Sequence, residues 1–261
     1  MELNLSGKSA LVVASSQGLG FAIAERLVKE GVNVMISGRE EEKLKQKAIE
    51  LQSIGIGQVA FQKADITNIN EINQLVAVTN ETFGGLHLLV NNAGGPRAGA
   101  FEDLTDEDWQ TSFELNLLSY VRIIRAALPF LKQHGGKILN IASSSIKEPI
   151  PGLIFSNTFR TGIVGLSKTL ATELAPYNIL INTIAPGRIA TDRVKHLDQV
   201  NADKLGVERE AVELQVKAGI PLQRYGTPEE FANVAAFLLS DANSYMTGSS
   251  FLVDGGMVKA I

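Results

Sequence analysis

The sequence predicts one α/β domain built on a doubly wound parallel sheet, and three observations lead to that fold class. Short apolar runs rich in valine, isoleucine and leucine alternate along the chain with longer amphipathic segments. The apolar runs lack a clean polar alternation, which indicates strands that are buried on both faces. No linker, repeat or low-complexity segment divides the 261 residues. We therefore expect right-handed crossovers, with helices on both faces of a single sheet.

Seven apolar runs are predicted as strands: SALVVA (9–14), VNVMIS (32–37), QVAFQKA (58–64), LHLLVNNA (86–93), KILNIA (137–142), ILINTIAPG (179–187) and SSFLVDGG (249–256). The amphipathic segments are predicted as helices over about 20–30, 40–53, 69–83, 105–133, 152–176 and 228–240. The segment 192–220 is a long insertion between a strand and the last helix. Insertions at this place often form a lid or a substrate loop. We expect one domain over 1–261, with a lid around 192–220.

The composition limits the possible partners. The formal net charge is −4, so there is no basic surplus for binding nucleic acid or an anionic membrane. The sequence has no cysteine, which excludes disulfides, thiolate catalysis and zinc–cysteine sites and suits a reducing cytosol. No run reaches the roughly 18 apolar residues of a membrane helix. We expect a cytoplasmic protein without a metal site and without nucleic-acid or membrane partners.

A dinucleotide site is predicted at the carboxyl ends of the first two strands. Gly18 and Gly20 lie where the first strand becomes a helix, and there the backbone and the helix amino terminus favour a pyrophosphate. A plain tight turn is the alternative for such a glycine pair. After the second strand, Arg39 stands where many sites carry an acidic ribose ligand, and its guanidinium suits a 2′-phosphate. A solvated arginine at a helix start is the alternative there.

The third strand closes with Asp65 and the fourth with NNAGG (91–95), again at carboxyl ends of strands. Taken alone, Asp65 is better explained as a helix cap.

The ordered motifs resemble the short-chain dehydrogenase/reductase family over essentially the whole chain, especially its 3-oxoacyl-acyl-carrier-protein reductase-like members. The resemblance rests on QGLG, Asp65, NNAG, ELNLLS around Asn116, LNIASSS, GLSKTLATELAP, APGRIATD and YMTGSSFLVDGG. It implies a seven-stranded Rossmann-type domain, usually assembled as a homotetramer or homodimer. It also implies a nicotinamide cofactor and a small-molecule carbonyl or alcohol substrate. Arg39 predicts that the cofactor is NADP, with NAD possible.

The resemblance carries over residue by residue. It implies a pyrophosphate turn, an adenine edge, a ribose–nicotinamide floor and a carboxamide segment. The pyrophosphate turn comprises Ser16, Gln17, Gly18, Leu19 and Gly20, and the adenine edge comprises Asp65 and Ile66. The ribose–nicotinamide floor comprises Asn92, Ala93 and Gly94. The carboxamide segment comprises Pro186, Gly187, Ile189 and Thr191. One departure is that Val13-Ala14 replaces the family's Thr-Gly before the turn. An alanine is tolerated at position 14 if its φ is negative, so this departure weakens the cofactor prediction slightly.

The catalytic positions depart further from the family pattern. The family uses a serine, a relay asparagine and a tyrosine four residues before a lysine. Asn116 and Ser143 match the first two, whereas the tyrosine and lysine positions hold Ser156 and Arg160. Four residues apart on a helix, these two side chains share a face, and Arg160 is predicted to bind ribose hydroxyls or an oxyanion as a fixed cation. A solvent-facing arginine is the alternative.

Other candidates lie on the loops. Lys147, after the catalytic strand, is predicted as a possible proton donor if it is partly buried, against a surface lysine paired with Glu148. Arg97 either binds an anionic substrate group or decorates its loop. The histidines His87 and His134 are predicted to be structural, and His196 lies in the predicted lid.

Three functions remain open from the sequence. The first is an NADP-preferring oxidoreductase of atypical chemistry, using Asn116, Ser143, Arg160 and possibly Lys147. The second is a cofactor-binding pseudoenzyme or sensor without turnover. The third is a non-redox enzyme resembling halohydrin dehalogenases; these carry an arginine for the lysine but keep the tyrosine and lack the glycine turn, opposite to this chain.

Overall fold

In the computed structural model, which describes residues 2–260, seven strands form one parallel sheet in the order β3-β2-β1-β4-β5-β6-β7. The strands are β1 (Ser9–Val12), β2 (Asn33–Gly38), β3 (Val59–Lys63), β4 (Leu88–Asn91), β5 (Gly136–Ile141), β6 (Ile179–Pro186) and β7 (Ser250–Val253). The α-helices in that range are α1 (Gly18–Lys29), α2 (Glu41–Ile54), α3 (Ile69–Phe83), α4 (Asp106–Phe113), α5 (Ser119–His134), α6 (Ile154–Leu174), α7 (Asp192–Leu205), α8 (Arg209–Ala218) and α9 (Pro228–Leu239).

Helices cover both faces of the sheet, and the side-chain alternation of the strands decides which core each residue joins. Ala10 and Val12 pack with α1, α2 and α9, whereas Leu11 and Val13 pack with α3, α5 and α6. Successive side chains of a strand point to opposite faces, so β1 contributes to both cores. The predicted doubly wound fold class is confirmed.

Two predicted segments differ in detail. The helix expected over 105–133 is divided by one π-helical turn over Glu114–Leu118, with Asn116 buried at its centre. Such turns are rare and occur often at functional sites. The insertion 192–220 contains α7 and α8. A membrane-spanning helix is absent from residues 2–260, since none combines the necessary length with the necessary apolar character.

The strand order reverses beside β1, because β2 and β4 lie on either side of it and the chain crosses over between them. Open α/β sheets bind ligands in the crevice at such a point, outside the carboxyl ends of the strands. The predicted cofactor residues on β1, β2 and β4 therefore meet at one edge of the sheet.

Candidate functional site

The amino terminus of α1 is open toward this crevice. Its N-cap residue, Gln17, makes no side-chain capping bond, whereas Asn68 and Thr191 accept from backbone N–H groups to cap α3 and α7. Gly18 has φ +60°, and a β-carbon built on it would contact nothing within 4 Å. An uncapped helix terminus beside empty space suits an anion. These residues fit the phosphates of a dinucleotide.

Gly20 holds the turn against the neighbouring strand. A β-carbon at Gly20 would lie 2.8 Å from Nδ2 of Asn92 and 2.9 Å from the carbonyl oxygen of Ala14, too close for any side chain. Asn92 donates from Nδ2 to that same carbonyl at 3.0 Å. The carboxyl ends of β1 and β4 are thereby joined under the turn.

Ala14 does not meet the condition under which an alanine is tolerated without strain, since its φ is +49°. In this left-handed region the β-carbon of an L-residue crowds the backbone, at a cost of roughly 1–2 kcal/mol. Glycine, which the family pattern has here, would avoid that cost. The chain keeps the backbone shape of the turn and accepts strain at Ala14.

At the end of β2, Arg39 is exposed. A β-carbon at the preceding Gly38 would come within 3.3 Å of Oγ of Ser16, so the first turn and the end of β2 lie side by side. Lys43, on α2, donates to the side chain of Gln17 in the turn. Two cations therefore stand beside the predicted ribose position.

Asp65 does not cap a helix, because Asn68 is the N-cap of α3. Its Oδ1 instead accepts from the backbone N–H and the hydroxyl of Thr67, at 2.9 and 2.8 Å. The capping alternative is wrong, while a contact of Asp65 and the buried Ile66 with adenine stays a prediction.

The segment after β6 is fixed by close packing. A β-carbon at Gly187 would lie 2.5 Å from Cβ of Asp254, Ile189 is buried, and Thr191 caps α7 through its hydroxyl. Pro186 is the last residue of β6. The predicted contact of this segment with a nicotinamide carboxamide stays a prediction.

Arg160 is buried, with 4% of its surface exposed, so the solvent-facing alternative is wrong. Its NH1 donates to the phenol oxygen of Tyr120 at 2.7 Å and to the carbonyl oxygen of Ile141 at 3.0 Å. Its NH2 donates to Oδ1 of Asn116 at 2.9 Å and to the carbonyl oxygen of Ala93 at 3.4 Å. The guanidinium joins α5, β5, the π-helical turn and the loop after β4. With both terminal nitrogens so engaged, Arg160 positions these groups, and a contact of the guanidinium with ribose hydroxyls or an oxyanion stays a prediction.

Three serines continue this polar region. Ser143, directly after β5, accepts at Oγ from the backbone N–H of Ser145 at 3.2 Å. The hydroxyls of Ser145 and Ser156 are 3.1 Å apart, and both residues are buried. Ser156 is thus linked to the loop of Ser143 through Ser145, which the sequence interpretation did not include.

Sequence reasoning also missed Tyr120. It is fully buried on α5, and its hydroxyl donates to the carbonyl of Ile141 while it accepts from Arg160. Burial raises the pKa of Tyr120, and the charge of Arg160 acts in the opposite direction. Tyr120 does not begin a Tyr-x-x-x-Lys motif, because Ile124 stands at the lysine position. A polar aromatic residue on the core face of a helix was the available signal.

The loop candidates lie apart from this cluster. Lys147 is exposed, so the burial on which its role as a donor depended is absent. Arg97 is paired with Asp108 at 2.7 Å. His87 accepts at Nδ1 from the N–H of Ser9 and its ring stacks on that of His134, at the start of β4 and away from the crevice. His196 is exposed on α7.

Comparisons with known proteins give the family of the chain. A family model described as enoyl-(acyl carrier protein) reductase matches residues 13–258. The dehydrogenase/reductase SDR family member 4 of Homo sapiens is 35% identical over 254 residues, covering 97% of this chain and 88% of that protein. The 3-oxoacyl-acyl-carrier-protein reductase of Aquifex aeolicus (strain VF5) is 35% identical over 258 residues, covering 98% and 100%.

Solved structures extend the similarity to the whole fold. L-sorbose reductase from Gluconobacter frateurii, complexed with NADPH and L-sorbose, superposes with a TM-score of 0.95 at 32% identity and full coverage of both chains. A variant of actinorhodin polyketide ketoreductase with NADPH gives 0.92 at 33% identity, covering 96% of this chain and 97% of that one.

Proposed function

The chain belongs to the short-chain dehydrogenase/reductase family of oxidoreductases, and we propose that it transfers a hydride between NADP(H) and a small carbonyl or alcohol substrate. One observation carries the proposal. The uncapped amino terminus of α1 and the buried cluster around Arg160 and Asn116 lie at the same carboxyl edge of the sheet. A phosphate cradle and a polar reaction chamber on one edge are the two parts that hydride transfer requires.

The preference for NADP over NAD rests on charge. Arg39 stands at the end of β2 in place of an acidic ribose ligand, and Lys43 reaches the same turn. A guanidinium binds a phosphate well, because it can donate two parallel N–H groups to the phosphate oxygens. That the solved relatives named above hold NADPH supports the same choice.

NADPH, when bound, supplies the hydride. We assign Ser143 to polarise the substrate oxygen, as the hydroxyl directly beyond β5. Asn116 is held by Arg160, so its amide keeps one orientation within the π-helical turn. Ser156 lacks the acidity to donate a proton near neutral pH. Lys147 is exposed and does not meet the condition of partial burial, so we assign no proton donor among the residues of the site.

A second candidate function is cofactor binding without turnover. The observation that favours it is the saturation of Arg160, whose terminal nitrogens are directed to four protein acceptors. On this alternative the arginine keeps the shape of the site after the proton donor has been lost.

The cofactor assignment is tested by titrating NADPH and NADH into the parent and Arg39→Ala, following nucleotide fluorescence. A charge-assisted phosphate contact contributes about 1.5–3 kcal/mol, so the parent should prefer NADPH about tenfold or more, and the variant should lose that preference. Lys45→Ala, which removes an exposed cation from the same helix as Lys43, serves as the matched control. Equal affinities for the two nucleotides in the parent would remove the argument for NADP.

A further inference from the structure

Among the arginines on the segments that surround the crevice, two are paired with carboxylates of the described residues. Arg97 is bound to Asp108 at 2.7 Å, and Arg188 is bound to the buried Asp198 at 2.9 Å. Within residues 2–260, neither Arg160 nor Arg193 has a carboxylate oxygen within 4 Å. Arg160 and Arg193 therefore add uncompensated positive charge to this region, beside that of Arg39 at the end of β2.

Arg193, in the first turn of α7, reaches across the crevice to the loop after β4. A β-carbon at Gly95 would lie 2.1 Å from its NH2, so the guanidinium rests directly on that glycine. The NH2 group is 3.5 Å from the carbonyl oxygen of Pro96, a contact at the limit of a hydrogen bond. Within residues 2–260 the guanidinium makes no other hydrogen bond, so its remaining N–H groups are free for a ligand.

The positive charges of Arg193 and Arg160 repel each other. Partial burial of the guanidinium lowers the pKa of Arg193, and repulsion by the charge of Arg160 lowers it further. Like charges that share a partly dry region are costly, and a nearby anion relieves that cost. Clefts of one charge sign also concentrate ligands of the opposite sign.

We propose that this cleft binds a substrate that carries a carboxylate or phosphate beside its carbonyl group, with Arg193 contacting the anion and Arg160 contributing positive potential from below. This deepens the proposed oxidoreductase function and rests on it. Arg160 contributes through its field because its terminal N–H groups are used inside the protein. Arg193 has the planar pair of donors that suits a carboxylate or a phosphate. Gly95 makes room for the guanidinium, because any side chain there would displace it.

The test compares acetoacetate with methyl acetoacetate, a neutral ester of the same 3-oxo acid, by calorimetric titration into enzyme loaded with NADP⁺. The oxidised cofactor prevents reduction, so binding is measured alone. The parent should bind acetoacetate about tenfold or more tightly than the ester. Arg193→Ala should lose that preference without changing the ester affinity, and Arg193→Lys should retain part of it. Lys195→Ala removes a neighbouring exposed cation of α7 and should behave as the parent.

Three results would overturn the proposal. The parent fails to distinguish acetoacetate from its ester, or binds neither acetoacetate nor inorganic phosphate at about 10 mM. Arg193→Ala keeps the full preference for the anion. Arg193→Ala weakens NADP⁺ binding by the same factor, which would assign the arginine to a cofactor phosphate. A parent that does not bind NADP⁺ refutes the proposed function instead, and titrating acetoacetate into the unloaded protein still tests the anion site.

Discussion

Arg160 is a permanent positive charge inside the protein, and its hydrogen-bond acceptors among the described residues are all neutral oxygens. Its burial is compensated by two backbone carbonyls, an amide oxygen and a phenol. Hydrogen bonds to these acceptors offset the desolvation of the buried charge, and removing one acceptor costs about 1–3 kcal/mol. The sequence predicted correctly that Arg160 and Ser156 lie on one helix. The sequence could not predict that the Arg160 side chain points inward, because this orientation depends on a hydrogen bond to Tyr120, which lies on another helix.

Ala14 provides a test of the turn at the residue scale. Replacing Ala14 with glycine removes the cost of a left-handed backbone conformation, roughly 1–2 kcal/mol. The glycine also gives the unfolded chain more conformational freedom, which lowers the stability by about 0.4–1 kcal/mol. Because the first effect is larger, we expect Ala14→Gly to stabilise the protein by about 0.5–1 kcal/mol. Urea denaturation measures the difference.

Ala22→Gly, inside α1, is the control for that experiment. The residue is buried in a helix, where the same substitution should destabilise the protein by about 1 kcal/mol. Destabilisation by Ala14→Gly would contradict the positive φ and the account of the turn that depends on it.

At the scale of elements, hydrophobic patterning located the strands and most of the helices, because burial on two faces gives strong apolar runs. It did not find the π-helical turn over Glu114–Leu118, since one extra residue in a turn leaves the apolar pattern almost intact. It also left 192–220 without assigned structure. Helices α7 and α8 are polar, with few buried residues, so periodicity gave little signal there.

Helix α9 offers a pH test. Thr227 and Glu230 form a capping box, and hydrogen bonds from Arg224 and then from the backbone N–H of Thr227 lower the pKa of Glu230 to about 2. A carboxylate with a depressed folded-state pKa stabilises above its unfolded value, near 4.3, and this contribution is lost as the pH falls through about 2. Glu230→Gln should therefore lower Tm at pH 7, and its difference from the parent should shrink between about pH 4 and pH 2.

Glu229→Gln is the matched control, because it removes a charge from the same first turn of α9 outside the capping box. It should change Tm little at any of these pH values. A Glu230→Gln difference that stays constant from pH 7 to pH 2 would refute the assigned role of the carboxylate.

At the scale of the whole molecule, the sequence predicted which edge of the sheet holds the candidate site, because strand ends and motifs coincide there. The bonding within the site was not predictable. Asn92 meets Ala14, and Arg160 meets Ala93, through contacts between residues 67 or more positions apart. Such hydrogen bonds form only when distant segments pack together. The spacing of motifs describes each segment by itself, so it does not predict them.

The same scale carries the prediction of assembly. Helices α5 and α6 leave large apolar side chains half-buried in the single chain, among them Leu128, Phe130, Leu166 and Leu170. A symmetric interface would pair each helix with its own copy and cover them. Light scattering at micromolar concentration should give two or four times the 28.0 kDa of one chain. A mass of one chain would contradict this prediction.

The most direct test of the proposed function is substrate-dependent oxidation of NADPH by the parent, Arg160→Ala and Ser156→Tyr, across a panel of carbonyl compounds that includes acetoacetate. We predict a detectable parent rate, about 10²–10⁴-fold below that of enzymes with a tyrosine donor, because one general acid contributes roughly that much. Arg160→Ala should lower the rate by releasing Asn116, and Ser156→Tyr should leave it unchanged or raise it. A parent that binds NADPH tightly and oxidises it with none of these compounds would contradict the proposed reductase and favour cofactor binding without turnover.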